Sequence, residues 1–294
     1  MENTCQWLIK KMETAVFLIQ CKDQRGIVAR ISEFVFRYNG NIIQSDQHTT
    51  DPENGQFFMR LEFCFDPDFV SHKHLEDEFG ILAKTLNALW QIHYVRQRLR
   101  MGILVSKQDH CLLDILYQWK SNELSVDIPF VISNHESVRE CVEHYGIPFF
   151  CYSMDGVSKT LQESNILSMI NGTTDFLVLA RYMQILSESF ITSYNKPIIN
   201  IHHSFLPSFK GANPYRQAYE RGVKLIGATS HYVTADLDEG PIIEQVVDRV
   251  SHRDNVDTLI RKGKKLEQIA LANALRAHTE FRILRYSNKT IVFS

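Results

Sequence analysis

The sequence predicts an α/β protein in two parts: a small α+β sandwich over residues 14–97, then a doubly wound, mostly parallel sheet over 101–294. Two observations carry this prediction. Up to residue 98, short aromatic and β-branched runs alternate with helically spaced segments in the order β-α-β-β-α-β. Beyond residue 100, continuous apolar runs alternate with helical segments, the pattern of parallel strands buried on both faces.

The first part opens with AVFLIQCKD (15–23), a strand-like run. The turn DQRG (23–26) follows, and then IVARISEFVFRYNG, where Ile27, Ile31, Phe34 and Val35 keep helical spacing and Gly40 is the expected left-handed stop. NIIQSDQHTTD (41–51) and QFFMRLEFCFD (56–66) read as antiparallel strands joined through PENG (52–55). A helix over 70–88 and a strand IHYVRQR (92–98) complete the set, which is the order of a ferredoxin-like sandwich.

The second part begins with the strand in MGILVSKQDH (101–110). Helices are expected near 111–120, 136–145 and 158–170, and strands at IPFVIS (128–133), PFFCY (148–152), DFLVLA (175–180) and PIINIHH (197–203). In such sheets ligands bind outside the carboxyl ends of the strands. Ser106–Asp109, Arg181–Gln184 and Asn200–His203 should therefore share one rim, and the chemistry is expected there.

Composition narrows the function classes. With 44% apolar and 22% charged residues, net charge −2 and a pI of about 6.6, no basic field favours nucleic acid. Arg96, Arg98 and Arg100 read as a solvated edge. The six cysteines contain no C-x-x-C pair, so reduced thiols in a cytoplasmic protein are expected. The start MENTCQWLIKKMETAVFLIQ lacks the order of a secretory signal, and no run of ~18 apolar residues predicts a membrane span.

The polar cluster NIHHSFLPSF (200–209) invites three chemistries. A metal site needs three or four converging ligands. Adjacent His202 and His203 are expected on opposite sides of an extended chain, so a metal is disfavoured. Ser204 lacks the G-x-S-x-G elbow of an exposed nucleophile and is expected to brace a turn. General acid/base chemistry fits better. GATSHYVTADLDEGPII (227–243) supplies Asp238, which could orient His202 and favour its protonated form, and Asn200 offers an amide N–H to a developing oxyanion. Asn200 as a turn former, His202 as a core residue and Asp238 as a loop cap remain alternatives, because spacing alone does not bring the three together.

NIHHSFLPSFKGANPYRQAYERG, followed by GATSHYVTADLDEGPIIEQ, resembles the formyltransferase family that uses 10-formyltetrahydrofolate; the likeness covers about residues 101–286. The resemblance implies a formyltransferase-type sheet and a catalytic set Asn200, His202 and Asp238. It also implies a folate held by Met183, Ile185 and Leu186 on one side and by the Tyr232–Asp236 turn (Tyr232, Val233, Thr234, Ala235, Asp236) on the other, with His231 orienting water or Asp238. Lys210 and Gly211 are expected to flank the folate or a water channel, and His203 to shape the site.

Residues 14–97, with KDQRGIVARI, resemble the ACT family, which implies a regulatory or oligomerisation module, an amino-acid effector and a homo-oligomer. An ACT-like part ahead of the formyltransferase-like part, Arg181 where ribonucleotide transformylases tend to have Gly, and the tail from His252 onward point to the deformylase branch. The loop SKQDHC, without the glycines that cradle a ribonucleotide phosphate, agrees. That branch implies hydrolysis of 10-formyltetrahydrofolate to formate and tetrahydrofolate, supplying formate for purine synthesis, with folate as substrate and no cofactor. The rivals are a formyltransferase with an amine acceptor and a non-catalytic folate or amino-acid sensor.

Overall fold

A computed structural model describes residues 12–51, 54–153, 156–207 and 214–294, so Pro52, Glu53, Lys210 and Gly211 lie outside the described residues. The chain divides into two compact units. One comprises residues up to Gln97 together with Glu280–Tyr286 and Ile291–Ser294; the other comprises Arg98–Thr279 with Ser287–Thr290.

In the first unit, β1 (Glu13–Lys22), α1 (Ile27–Arg37), β2 (Asn41–Thr49), β3 (Gln56–Phe65), α2 (His72–Leu86) and β4 (Leu89–Tyr94) follow the expected order. The sheet order β2-β3-β1-β4, antiparallel throughout, is that of the split β-α-β sandwich. Helix α1 buries Ile27, Ile31, Phe34 and Val35, the stripe read from the sequence. Its stop differs: Asn39, not Gly40, takes the left-handed conformation (φ 53°). Gly40 is needed for another reason, since a Cβ there would meet Val35 Cγ1 at 2.8 Å. The last strand starts earlier than expected, at Leu89, because Asn87 ends α2 in the left-handed region (φ 48°) and the chain pairs with β1 at once.

Strand β1 reads as a continuous apolar run because both of its faces are covered. Phe17 and Ile19 pack with Phe34, Phe63 and Phe79 on the helical side. Val16 and Leu18, with Phe58, pack on Leu284 and Phe293 from the end of the chain. This apolar burial draws the tail segments, in β13 (Ile283–Tyr286) and around β14 (Lys289–Val292), into the first unit. The expected second part, 101–294, therefore gives up its last residues to the first.

The second unit is built on β5 (Leu99–Val105), α3 (His110–Lys120), β6 (Val126–Asp127), β7 (Val131–Ser133), α4 (Arg139–His144), β8 (Phe149–Cys151), α5 (Lys159–Ile170), β9 (Phe176–Ala180), α6 (Glu188–Tyr194), β10 (Ile198–His202), α7 (Pro214–Arg221), β11 (Leu225–Tyr232), β12 (Ile242–Arg249) and α8 (Val256–Thr279). The sheet order is β12-β11-β10-β9-β5-β7-β8. Strands β8 to β10 in that order are parallel, and β11 and β12 join antiparallel. The chain leaves β5 in one direction toward β7 and β8, then returns to its other side as β9 and β10. That reversal opens a crevice at the carboxyl ends of the strands.

Helix α8 carries a buried stripe of Leu259, Gly263, Leu266, Ala270, Leu271, Ala274 and Leu275, spaced for one helical face. Glu267 sits within that stripe and is 1% exposed. Among the described residues no helix is long and apolar enough to cross a membrane.

Candidate active site

Strand β10 ends with Asn200 and His202, side chains two residues apart and so on one face. Its antiparallel neighbour β11 sets His231 directly opposite Asn200. The turn after β11 then brings Asp238 back over the strand ends. Two backbone features make that turn. Asp238 takes a left-handed conformation (φ 57°), which Asp tolerates better than most residues. Gly240 lies where any Cβ would overlap the Tyr232 carbonyl oxygen.

Asp238 stands between two imidazoles. Its Oδ2 is 3.3 Å from His202 Nδ1 and its Oδ1 is 3.6 Å from His231 Nε2. His202 and then His231 hold the carboxyl far below the usual carboxylate range, against burial acting the other way. His231 Nδ1–H donates to the Tyr232 carbonyl at 3.0 Å. The Asn200 amide nitrogen lies 3.1 Å from His231 Nε2. With Nδ1 of His202 on Asp238, its Nε2 is left buried and without a hydrogen-bond partner. Other buried ring and guanidinium nitrogens are unpartnered too, but the His202 ring lines a cavity.

These residues line a cavity of about 240 Å³. Met183, Ile185 and Leu186 form one wall, and Val233, Thr234, Ala235 and Leu237 another. Met183 and Ile185 are 56% and 58% exposed, so that wall carries open apolar surface. Two expected residues are elsewhere. Tyr232 follows His231 on a strand, so it turns to the opposite face, is 4% exposed and meets His278 Nδ1 through its hydroxyl at 3.0 Å. Asp236 does not line the cavity; its carbonyl accepts from the Thr234 hydroxyl at 3.1 Å within the turn. The backbone N–H groups of Tyr232 and Val233 are committed to Pro241 and Ile198, which leaves the later residues of the turn to meet a ligand.

The structure also revises the placing of the histidine pair. The rings of His202 and His203 stack with centroids 5.1 Å apart, and both line the cavity. Alternation requires extended backbone, and β10 stops at His202. Burial, then the charges of Arg181 and His202, push His203 down to about 4, so it is neutral at neutral pH.

Ser106 and Gln108 share the rim as supports. The Ser106 hydroxyl accepts from Met183 N at 3.0 Å, and Gln108 Oε1 accepts from the Arg181 guanidinium at 3.3 Å. Below Arg181 lies a network that the sequence did not announce. Glu267 meets Arg181 Nε at 3.4 Å and His110 Nε2 at 2.7 Å, and accepts from the Tyr215 hydroxyl at 2.7 Å. Gly263, one turn earlier on α8, leaves the space the Tyr215 ring fills. An acid within an otherwise apolar helical stripe was the available signal. Burial would raise the Glu267 carboxyl, but His110 and Arg181 outweigh it and hold it low.

His110, Cys111 and Glu267 bring potential ligand atoms within 4.8 Å of one another. Their chemistry does not fit a metal: Glu267 is already engaged by Arg181, His110 and Tyr215, and burial, then Glu267, push the Cys111 thiol far above its ordinary range, away from the thiolate a metal needs.

Comparison with known proteins agrees with this geometry. Residues 99–275 match the formyl transferase family model. The chain is 52% identical to formyltetrahydrofolate deformylase of Synechocystis over 96% of its length and 99% of that protein. The crystal structure of a formyltetrahydrofolate deformylase from Pseudomonas syringae superposes with a TM-score of 0.90 at 42% identity, covering 100% of this chain and 98% of that one. Glycinamide ribonucleotide transformylase 1 from Symbiobacterium toebii matches 69% of this chain and 97% of its own, with a TM-score of 0.64 at 29% identity. The formyltransferase-type fold, the full-length match and the identity together place this chain in the formyltetrahydrofolate deformylase family.

Proposed function

We propose that the protein hydrolyses 10-formyltetrahydrofolate to formate and tetrahydrofolate with Asn200, His202 and Asp238 as the catalytic set. The observation that carries the assignment of roles is the buried, unpartnered Nε2 of His202 beside the Asn200 amide, with Nδ1 oriented by Asp238. Asp238 stays ionised and so favours the imidazolium. The formyl oxygen accepts from Asn200 Nδ2 and His202 Nε2 while water adds to the carbon. Both donors strengthen as charge develops on that oxygen. Collapse breaks the C–N10 bond, N10 takes the proton lost by the water, and formate and tetrahydrofolate leave. Every group in these steps is a side chain, so we take the reaction to need no cofactor.

The exposed apolar wall at Met183 and Ile185 would receive the folate ring system, with the Thr234–Ala235 turn opposite. We assign the first unit to the ACT type on its β-α-β-β-α-β order, as a regulatory or oligomerisation module with an amino-acid effector. A cytoplasmic setting that supplies formate for purine synthesis fits this activity.

Incubation with 10-formyltetrahydrofolate in the absence of an amine tests the reading, with Asp238→Asn beside the wild type. Formate from the wild type alone is the expected result. Folate binding with no formate until an amine is added would make the protein a transferase, and binding with no turnover at all would make it a sensor.

A further inference from the structure

The fold itself does not call for an arginine at position 181. The residue directly follows β9 and takes a left-handed backbone conformation, φ +63°. Glycine takes that conformation freely and residues with a Cβ do not. Yet Arg181 is 7% exposed, lines the cavity beside His202 and His203, and is fixed by Glu267 and Gln108. Glu267 in turn is held by His110 and Tyr215.

We propose that Arg181 selects water over amines as the nucleophile, a specificity role that rests on the hydrolytic reading above. The formyl carbon can accept either. Water forms a C–O bond, C–N10 breaks, N10 takes a proton and formate results. An amine forms a C–N bond with the same departure of N10, and an N-formyl amine results. The two nucleophiles differ in what they bring to the pocket wall. Most amines are ammonium ions at neutral pH and carry a substituent, so they meet a fixed guanidinium in both charge and volume. Like charges ~6 Å apart at an effective dielectric of ~20 disfavour approach by roughly a hundredfold. Glu267, which offsets part of that charge, does not line the cavity; Asp238 does, but its carboxylate is taken up by His202 and His231. Water is neutral and has no substituent.

The test is a product ratio. Wild type, Arg181→Gly and Arg181→Asn are incubated with 10-formyltetrahydrofolate and glycinamide, and formate and N-formylglycinamide are quantified by mass spectrometry. Glycine and asparagine both suit the left-handed backbone. The wild type should give formate with less than about 1% N-formyl product, and the variants should divert at least about a tenth of turnover to it. A role confined to folding would lower both products together and leave the ratio unchanged. An N-formyl share above about 1% from the wild type, or one no higher in the variants than in the wild type, overturns the proposal. Formate release by the wild type without amine tests the hydrolytic reading separately.

Discussion

Two of the imidazole–carboxylate pairs in the second unit, His110–Glu267 and His202–Asp238, differ in what surrounds them. His110 and Glu267 meet at 2.7 Å, with side chains 10% and 1% exposed, and the carboxylate is also held by Tyr215 and Arg181. His202 and Asp238 meet at 3.3 Å, with side chains 9% and 15% exposed, beside an open cavity and with one ring nitrogen unpartnered. The first pair lies off the cavity, and its carboxylate is satisfied by its neighbours. His110 Nδ1 is buried and unpartnered as well, so what marks the second pair as a site for chemistry is that it lines the cavity.

Breaking each pair should separate these roles. The largest effect is expected for Asp238→Asn, which tolerates the left-handed backbone but removes the charge that holds His202. Formate release should fall on the order of 10³–10⁴-fold, with thermal unfolding shifted by only a few degrees. Glu267→Ala should act on stability instead. Leaving Arg181 and His110 buried without their carboxylate costs about 3–5 kcal/mol, read by urea unfolding. A loss under about 1 kcal/mol there would mean that the buried network relaxes around the missing acid.

Asn200→Ala removes one oxyanion donor and should lower kcat roughly 10²–10³-fold with little change in KM. A loss under about tenfold would remove Asn200 from that role. The smallest effect concerns His203 and pH. Its folded-state value is down at about 4, against about 6.5 for a free imidazole. Between those values the unfolded chain binds the extra proton, so stability falls as pH drops from about 6.5 toward 4 and levels off below. The slope is at most about 1.4 kcal/mol per pH unit, and His203→Gln should remove it from urea unfolding measured at pH 7 and 4.5. His93, also pushed down to about 4 by burial, adds the same slope and remains in the variant. Asp238 acts in the other window. Its contribution is present above about pH 4 and is lost only as pH falls through its lowered folded value.

What the sequence made legible follows from local rules. The α1 stripe of Ile27, Ile31, Phe34 and Val35 was readable because helical spacing alone decides which residues face inward. The β-α-β-β-α-β order and the pairing of β2 with β3 followed from alternation and turn residues. Asn200 and His202 were readable as a pair because a strand puts residues two apart on one face. The same rule misled at His203, where the strand had already ended; at Tyr232 it was the resemblance that misled, since alternation turns that side chain from the cavity.

The sequence by itself determined the two-part α/β pattern, the motifs at 200–203 and 227–243, and the residue types able to stabilise an oxyanion, because each depends on near neighbours in the chain. Only the tertiary structure decided that Asp238 lies between His202 and His231, that Glu267 reaches Arg181 from a helix 86 positions along the chain, and that Leu284 and Phe293 return to cover β1. Those contacts form when apolar faces are buried against each other, and no local periodicity specifies which distant face will supply the partner.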